Sequence, residues 1–125
     1  MGKETGPGIR WLAEPEEHNY PAAASYLSLI WPPARVAEAI EALRQAPVER
    51  FKSKDIFRAS ALSLLGTSNL HVDRDREKIR AGKELSPLLL VRDPRVGRVV
   101  IADGYHRLCA VYGFDEDAWI PCKII

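Results

Sequence analysis

The chain has 125 residues, 46% of them hydrophobic, which fits one domain with a real core and leaves little room for a second. Its 18 Lys and Arg stand against 17 Asp and Glu, a formal charge of +1, which disfavours nucleic acid and an anionic membrane as partners of the whole molecule. Cys109 and Cys122 lie in apolar patterns without metal-knuckle spacing or a disulfide framework, and no early apolar run suits a signal peptide or membrane span, so the chain reads as soluble and cytoplasmic.

Residues 1–10 are polar and glycine-rich at their start and read as a mobile end, with a single domain over 11–125. Asn19-Tyr20-Pro21 offers a cap and an early proline for a helix from Ala22 to Ile30 that is apolar nearly all round, hence buried on two sides. His18 before it reads as a local hydrogen-bonding group. Trp31-Pro32-Pro33 breaks that helix, and a second begins near Ala34 with Val36, Ile40 and Leu43 on one face, ending at Pro47. Together residues 19–46 read as a helical hairpin that covers something, ahead of a core over 48–125.

Val48 onward alternates as an edge strand, Ser53-Lys54-Asp55-Ile56 could cap a helical turn but the favoured reading is a strand followed by a turn, and Gly66-Thr67-Ser68-Asn69 is loop material. A third helix, Val72 to Ala81, has a thin apolar face of Leu70, Val72 and Ile79, places Arg74 and Lys78 one turn apart, and stops at Gly82. Leu85 to Val91 is a buried strand with a proline at its entry, and Asp93-Pro94-Arg95-Val96-Gly97 is turn chemistry. Arg92, Arg95 and Arg98 around that turn read first as solvation of an edge, with contact to a nucleic-acid backbone as the alternative.

The following run, Arg98 to Ala102, delivers the chain to Asp103-Gly104, where a helical pattern starts at once and runs to Gly113, read as a left-handed cap. A strand feeding a helix start is an anion site in waiting, because the first amides lack intrahelical partners and the macrodipole favours negative charge. Gly104 lets the backbone turn and a ligand approach, Asp103 can cap, and His106 and Arg107 put donors in the first turn. The plainer reading of the same residues is a turn followed by solvated helix positions. Trp119 to Ile125 closes the chain as a strand in which Pro121 argues for an edge or a bulge.

Ile79 with Gly82 and Pro87, then Gly104-Tyr105-His106-Arg107, then Ile120-Pro121, resemble in type and order the ParB/sulfiredoxin fold over residues 51–125, with the N-terminal hairpin outside it. The resemblance implies a small α+β domain, a mixed sheet with packed helices. It implies that the Gly104-Tyr105-His106-Arg107 box binds the phosphates of a nucleotide, adenine nucleotide as in sulfiredoxins or cytidine nucleotide as in ParB proteins, with or without Mg²⁺. His106 and Arg107 would contact phosphate, with Arg74 and Lys78 as secondary contacts and His71 near a ligand-contacting position. Asp103 would be a carboxylate base or a cap, and with His106 would form the catalytic pair of a phosphoryl-transfer or nucleotide-hydrolysing enzyme. Two departures matter. Tyr105 stands where sulfiredoxins carry their reactive cysteine, and no DNA-binding region of the ParB kind follows the box, so neither peroxiredoxin repair nor chromosome partition is expected. The alternative is a non-catalytic module that binds a protein partner or a second copy of itself, a reading that exposed Trp31 or Trp119 would favour.

Overall fold

Alternation along the central strands sets the architecture. Leu88 and Leu90 point to one side of the sheet and Leu89 and Val91 to the other, and all four are buried, so both faces need a cover. The structure is a computed structural model that describes residues 8–64 and 69–125. Its elements are β1 (Arg10–Trp11), α1 (Asn19–Leu27), α2 (Pro33–Gln45), β2 (Val48–Lys52), α3 (Ser53–Ser60) and α4 (Leu70–Arg80). They continue with β3 (Glu84–Leu85), β4 (Leu88–Asp93), β5 (Arg98–Asp103), α5 (Tyr105–Phe114) and β6 (Trp119–Ile124). The chain is thus a small α+β domain. Most of the stretch expected to be a loose N-terminus, and the loop residues 66–68, lie outside the described residues; Arg10 and Trp11 pair in parallel with Glu84 and Leu85.

The main sheet is mixed, in the order β2-β6-β4-β5. β6 runs antiparallel to β2 and parallel to β4, and β4 forms an antiparallel hairpin with β5. The α1–α2 hairpin covers one face through Tyr20, Ala23, Leu27, Val36, Ala39 and Leu43 over Leu89, Val91 and Ala102. The other face carries α3, α4 and α5, with Ile56, Val72, Ile79, Leu108 and Val111 over Leu88, Leu90, Ile101, Ile120 and Ile124. Each fully buried Leu, Ile or Val is worth about 1.5–3 kcal/mol, so both covers contribute substantially.

Buried polar groups bolt the layers together. Lys123, on the hairpin side of β6, donates from Nζ to the Arg44 carbonyl at 2.8 Å, in the last turn of α2, and lies 3.2 Å from Glu14. Burial works against the Lys123 ammonium, but Tyr20 and Glu14 outweigh it and raise its pKa above the ordinary lysine value. Ser86 is equally committed, accepting from the Glu16 amide at 2.9 Å and donating to Asn19 Oδ1.

Five local expectations are corrected. Asn19 is the first helical residue of α1 rather than its cap, because its side chain serves Ser86, and His18 occupies the cap position. That helix buries one face, not two: Tyr20, Ala23 and Leu27 are inside, while Tyr26, Leu29 and Ile30 are exposed. The expected turn after β2 is the two-turn helix α3, whose first amides find carbonyls in the α5–β6 loop. Ser53 and Lys54 amides donate to Ala118 and Glu116, and the Ser53 hydroxyl donates to Asp115 and Glu116. Gly113 does not cap α5, which runs on to Phe114; a Cβ there would fall 2.6 Å from Arg76 Nη1, at the tip of a side chain from α4. Pro121 stands in a central strand, tolerated one position before the ladder to β4 begins at Cys122.

Candidate functional site

The β-branched run Val99-Val100-Ile101 extends β5 to Asp103, and the chain turns into α5 at Gly104 with φ 112°. Only glycine holds that conformation readily, and space demands it too: a Cβ would lie 2.7 Å from Leu88 Cγ and 3.0 Å from Arg107 Nη2. Gly104 is itself the cap residue and no side chain caps the helix, so the expectation that Asp103 caps α5 is corrected. Asp103 Oδ2 instead accepts from Arg107 Nη2 at 2.9 Å, one helical turn ahead. The same nitrogen lies 3.4 Å from the Pro87 carbonyl, and Arg107 Nε is buried with no hydrogen-bond acceptor among the described residues. The guanidinium is therefore fixed against the floor formed by β4 and β5.

Helix α4 supplies the opposite wall. Asn69 Oδ1 accepts from the His71 and Val72 amides at 3.0 and 3.2 Å and so fixes where the helix begins. Val72 and Ile79 bury the inner stripe, while Leu70 is 59% exposed and does not join it as expected. His71, Arg74, Asp75 and Lys78 then fall at i, i+3, i+4 and i+7, along the stripe that faces α5. Together with Asp103, Gly104, Tyr105, His106 and Arg107 they line one polar cleft of about 310 Å³.

All eight residues singled out in the sequence thus meet at one place, and Asp75 joins them. Its signal was present in the spacing, since Asp75 lies on the same helical stripe as His71 and Lys78, but an acidic residue in a helix's first half reads equally well as a response to the macrodipole. Its side chain is 14% exposed and stands 4.0 Å from Lys78 Nζ. Burial pushes the Asp75 carboxyl above the ordinary aspartate range, opposed by Lys78, Arg107, His106 and His71. The His106 ring packs 4.9 Å from His71 and 5.7 Å from Tyr105, centroid to centroid. Burial holds the His106 imidazole below its usual pKa, His71 and Arg107 add to that, and Asp75 works against it. Tyr105 donates from its hydroxyl to the Ser63 carbonyl, and burial, with Cys109 adding to it, raises its phenol.

Cys109 and Cys122 are both buried, and burial first, then Glu49, pushes the Cys122 thiol to about 12, which leaves it inert as a nucleophile. Among the described residues no group of three His, Cys, Asp or Glu side chains could hold a metal ion, and no helix is long and apolar enough to cross a membrane. Arg92, Arg95 and Arg98 are exposed around the β4–β5 turn and do not line the cleft. Comparison of the chain with protein-family models, with curated proteins and with solved structures finds no match.

Proposed function

We propose that the cleft between α4 and the start of α5 binds the phosphates of a nucleotide. One observation carries the reading: His71, Arg74 and Lys78 from one helix and His106 and Arg107 from another line a single polar cleft at the Gly104 turn. There the first amides of α5 have no intrahelical acceptor. Arg107, held by Asp103, offers a preformed guanidinium rather than a flexible one, which lowers the entropy lost on binding an anion. A ParB/sulfiredoxin-like arrangement of residues 51–125 belongs to this proposal. It is supported by the order of the parts: α4, a proline-led β4, β5 ending in the Gly104 box, α5, and β6 with Ile120-Pro121. An adenine or cytidine nucleotide, with or without Mg²⁺, is the ligand that arrangement suggests. Turnover, with His106 and Asp103 of the cleft lining as the catalytic pair, is the enzyme form of the proposal.

The test is calorimetric and thermal-shift titration with ATP, ADP, CTP and GTP, with and without Mg²⁺. It uses the intact protein and the double variant Arg74→Ala/Lys78→Ala, whose side chains are exposed and whose loss leaves the core intact. A ligand at a hundred times its Kd stabilises the folded state by about 2.7 kcal/mol, and the double variant should lose most of that. No stabilisation of a folded wild-type protein at millimolar nucleotide would sink the reading. A second reading, a protein-interaction module, draws on Trp119 and Leu29, 54% and 83% exposed, and it gains from that same negative result when light scattering shows self-association.

A further inference from the structure

A carboxylate inside an anion site is a contradiction unless something on the ligand donates to it. Asp75 is such a carboxylate: it shares the cleft wall with His71, Arg74 and Lys78 and faces His106 and Arg107 across it. The other carboxylate, Asp103, is already satisfied by the 2.9 Å bond from Arg107. Asp75 is less provided for. The nearest cation, Lys78 Nζ, stands 4.0 Å away, beyond hydrogen-bond distance, and the Asp75 side chain is only 14% exposed. An anion drawn in by the surrounding cations is therefore brought up to an under-bonded acceptor.

Resting on the phosphate reading, we propose that Asp75 selects an oxyanion that carries its own proton, accepting a hydrogen bond from a P–OH of the bound phosphoryl group. Inorganic phosphate keeps at least one proton throughout the neutral range, and phosphate monoesters, with a second pKa of about 6, keep one in the minor monoanionic fraction that such a site would draw on. Sulfate has none to give. Because sulfate is charged at least as highly as phosphate at neutral pH, the cations alone cannot favour phosphate over it, and any strong preference must come from an acceptor. The carboxylate converts a general anion cleft into a phosphate cleft by penalising the ligand that leaves it facing bare oxygen. The raised Asp75 carboxyl accords with this, since a group that prefers to hold a proton is also well suited to share one.

The experiment is calorimetric titration of the intact protein with sodium phosphate and with sodium sulfate at pH 7, repeated on Asp75→Asn. Wild-type protein is expected to bind phosphate at least about tenfold more tightly than sulfate, the effect of one hydrogen bond to a charged group. Asp75→Asn, whose amide can donate to either anion, is expected to reduce that ratio to within about threefold by tightening sulfate. Equal affinity of wild-type protein for the two anions would overturn the inference while leaving the phosphate cleft standing. A ratio that persists in Asp75→Asn would overturn it as well. Binding of neither anion to folded wild-type protein removes the phosphate reading and the inference together. Should the variant fail to fold, the wild-type ratio alone decides.

Discussion

Replacing Gly104 with alanine separates two contributions that the other turn glycines do not combine. At φ 112° the backbone conformation is foreign to an L-residue, which costs about 1–2 kcal/mol. The new Cβ would also sit 2.7 Å from Leu88 Cγ and 3.1 Å from Leu88 Cδ1, and Leu88 is fully buried beneath the helix start. Overpacking against such a residue adds about 1–3 kcal/mol. Gly97 and Gly82 have positive φ as well, 67° and 73°, but nothing within 4 Å of an added Cβ, so they carry the backbone term alone. Gly104→Ala should therefore destabilise by about 3–4 kcal/mol and Gly97→Ala by about 1 kcal/mol. For a domain of this size 1 kcal/mol moves Tm by about 3–5 °C, so the expected losses are about 10–15 °C and about 4 °C. Thermal melts followed by far-ultraviolet circular dichroism on the two single variants measure this directly. A Gly104→Ala loss no larger than that of Gly97→Ala would refute the packing argument.

Two further outcomes follow from groups already described. Ser86→Ala leaves Asn19 Oδ1, in a residue 4% exposed, without its donor and the Glu16 amide without its acceptor; a loss of about 1–3 kcal/mol in urea unfolding is expected, and less than about 0.5 kcal/mol would show that solvent replaces both bonds. Burial, then His71, holds folded His106 below the ordinary imidazole value of 6.5, so the unfolded chain binds that proton more readily and the His106 contribution is present above about pH 6.5 and lost as the pH falls. Wild-type Tm should accordingly drop further than that of His106→Gln between about pH 7.5 and pH 5.5, whereas parallel curves would contradict the shift.

The Gly104 turn, the β4–β5 hairpin and the amphipathic α2 were legible because each is written in a few adjacent residues: a β-branched run ending in Asp-Gly, a proline-glycine turn, a stripe at 3.6-residue spacing. What escaped depends on partners far along the chain. Helix α3 has no side-chain cap of its own; the carbonyls that start it come from residues 115–118. Pro121 reads as an edge signal, yet strand order is decided by which strands pair, and β6 is drawn between β2 and β4. Gly113 carries an ordinary cap signature, yet it lies inside α5 beside the Arg76 guanidinium of another helix. At the cleft, the eight expected residues converge, but the Asp103–Arg107 bond and the place of Asp75 needed the two helices side by side, even though the four-residue spacings that allow them are visible in the sequence.

The central position of β6 also governs how the molecule can assemble. β2 and the β4–β5 hairpin form no ladder with each other, and β6 pairs with both, antiparallel to β2 and parallel to β4. The hairpin can close locally within microseconds, whereas both ladders of β6 link residues distant in sequence and must wait for large loops to close. Until then the apolar residues of β4 face water along an open strand edge, the surface through which a half-formed sheet recruits a neighbouring chain. The charged side chains on β2, Glu49, Arg50 and Lys52, guard one of the two edges of this sheet that remain after folding, but nothing of the kind protects Leu88, Leu89 and Leu90 before it. Refolding yield should thus depend on protein concentration more steeply than final stability does.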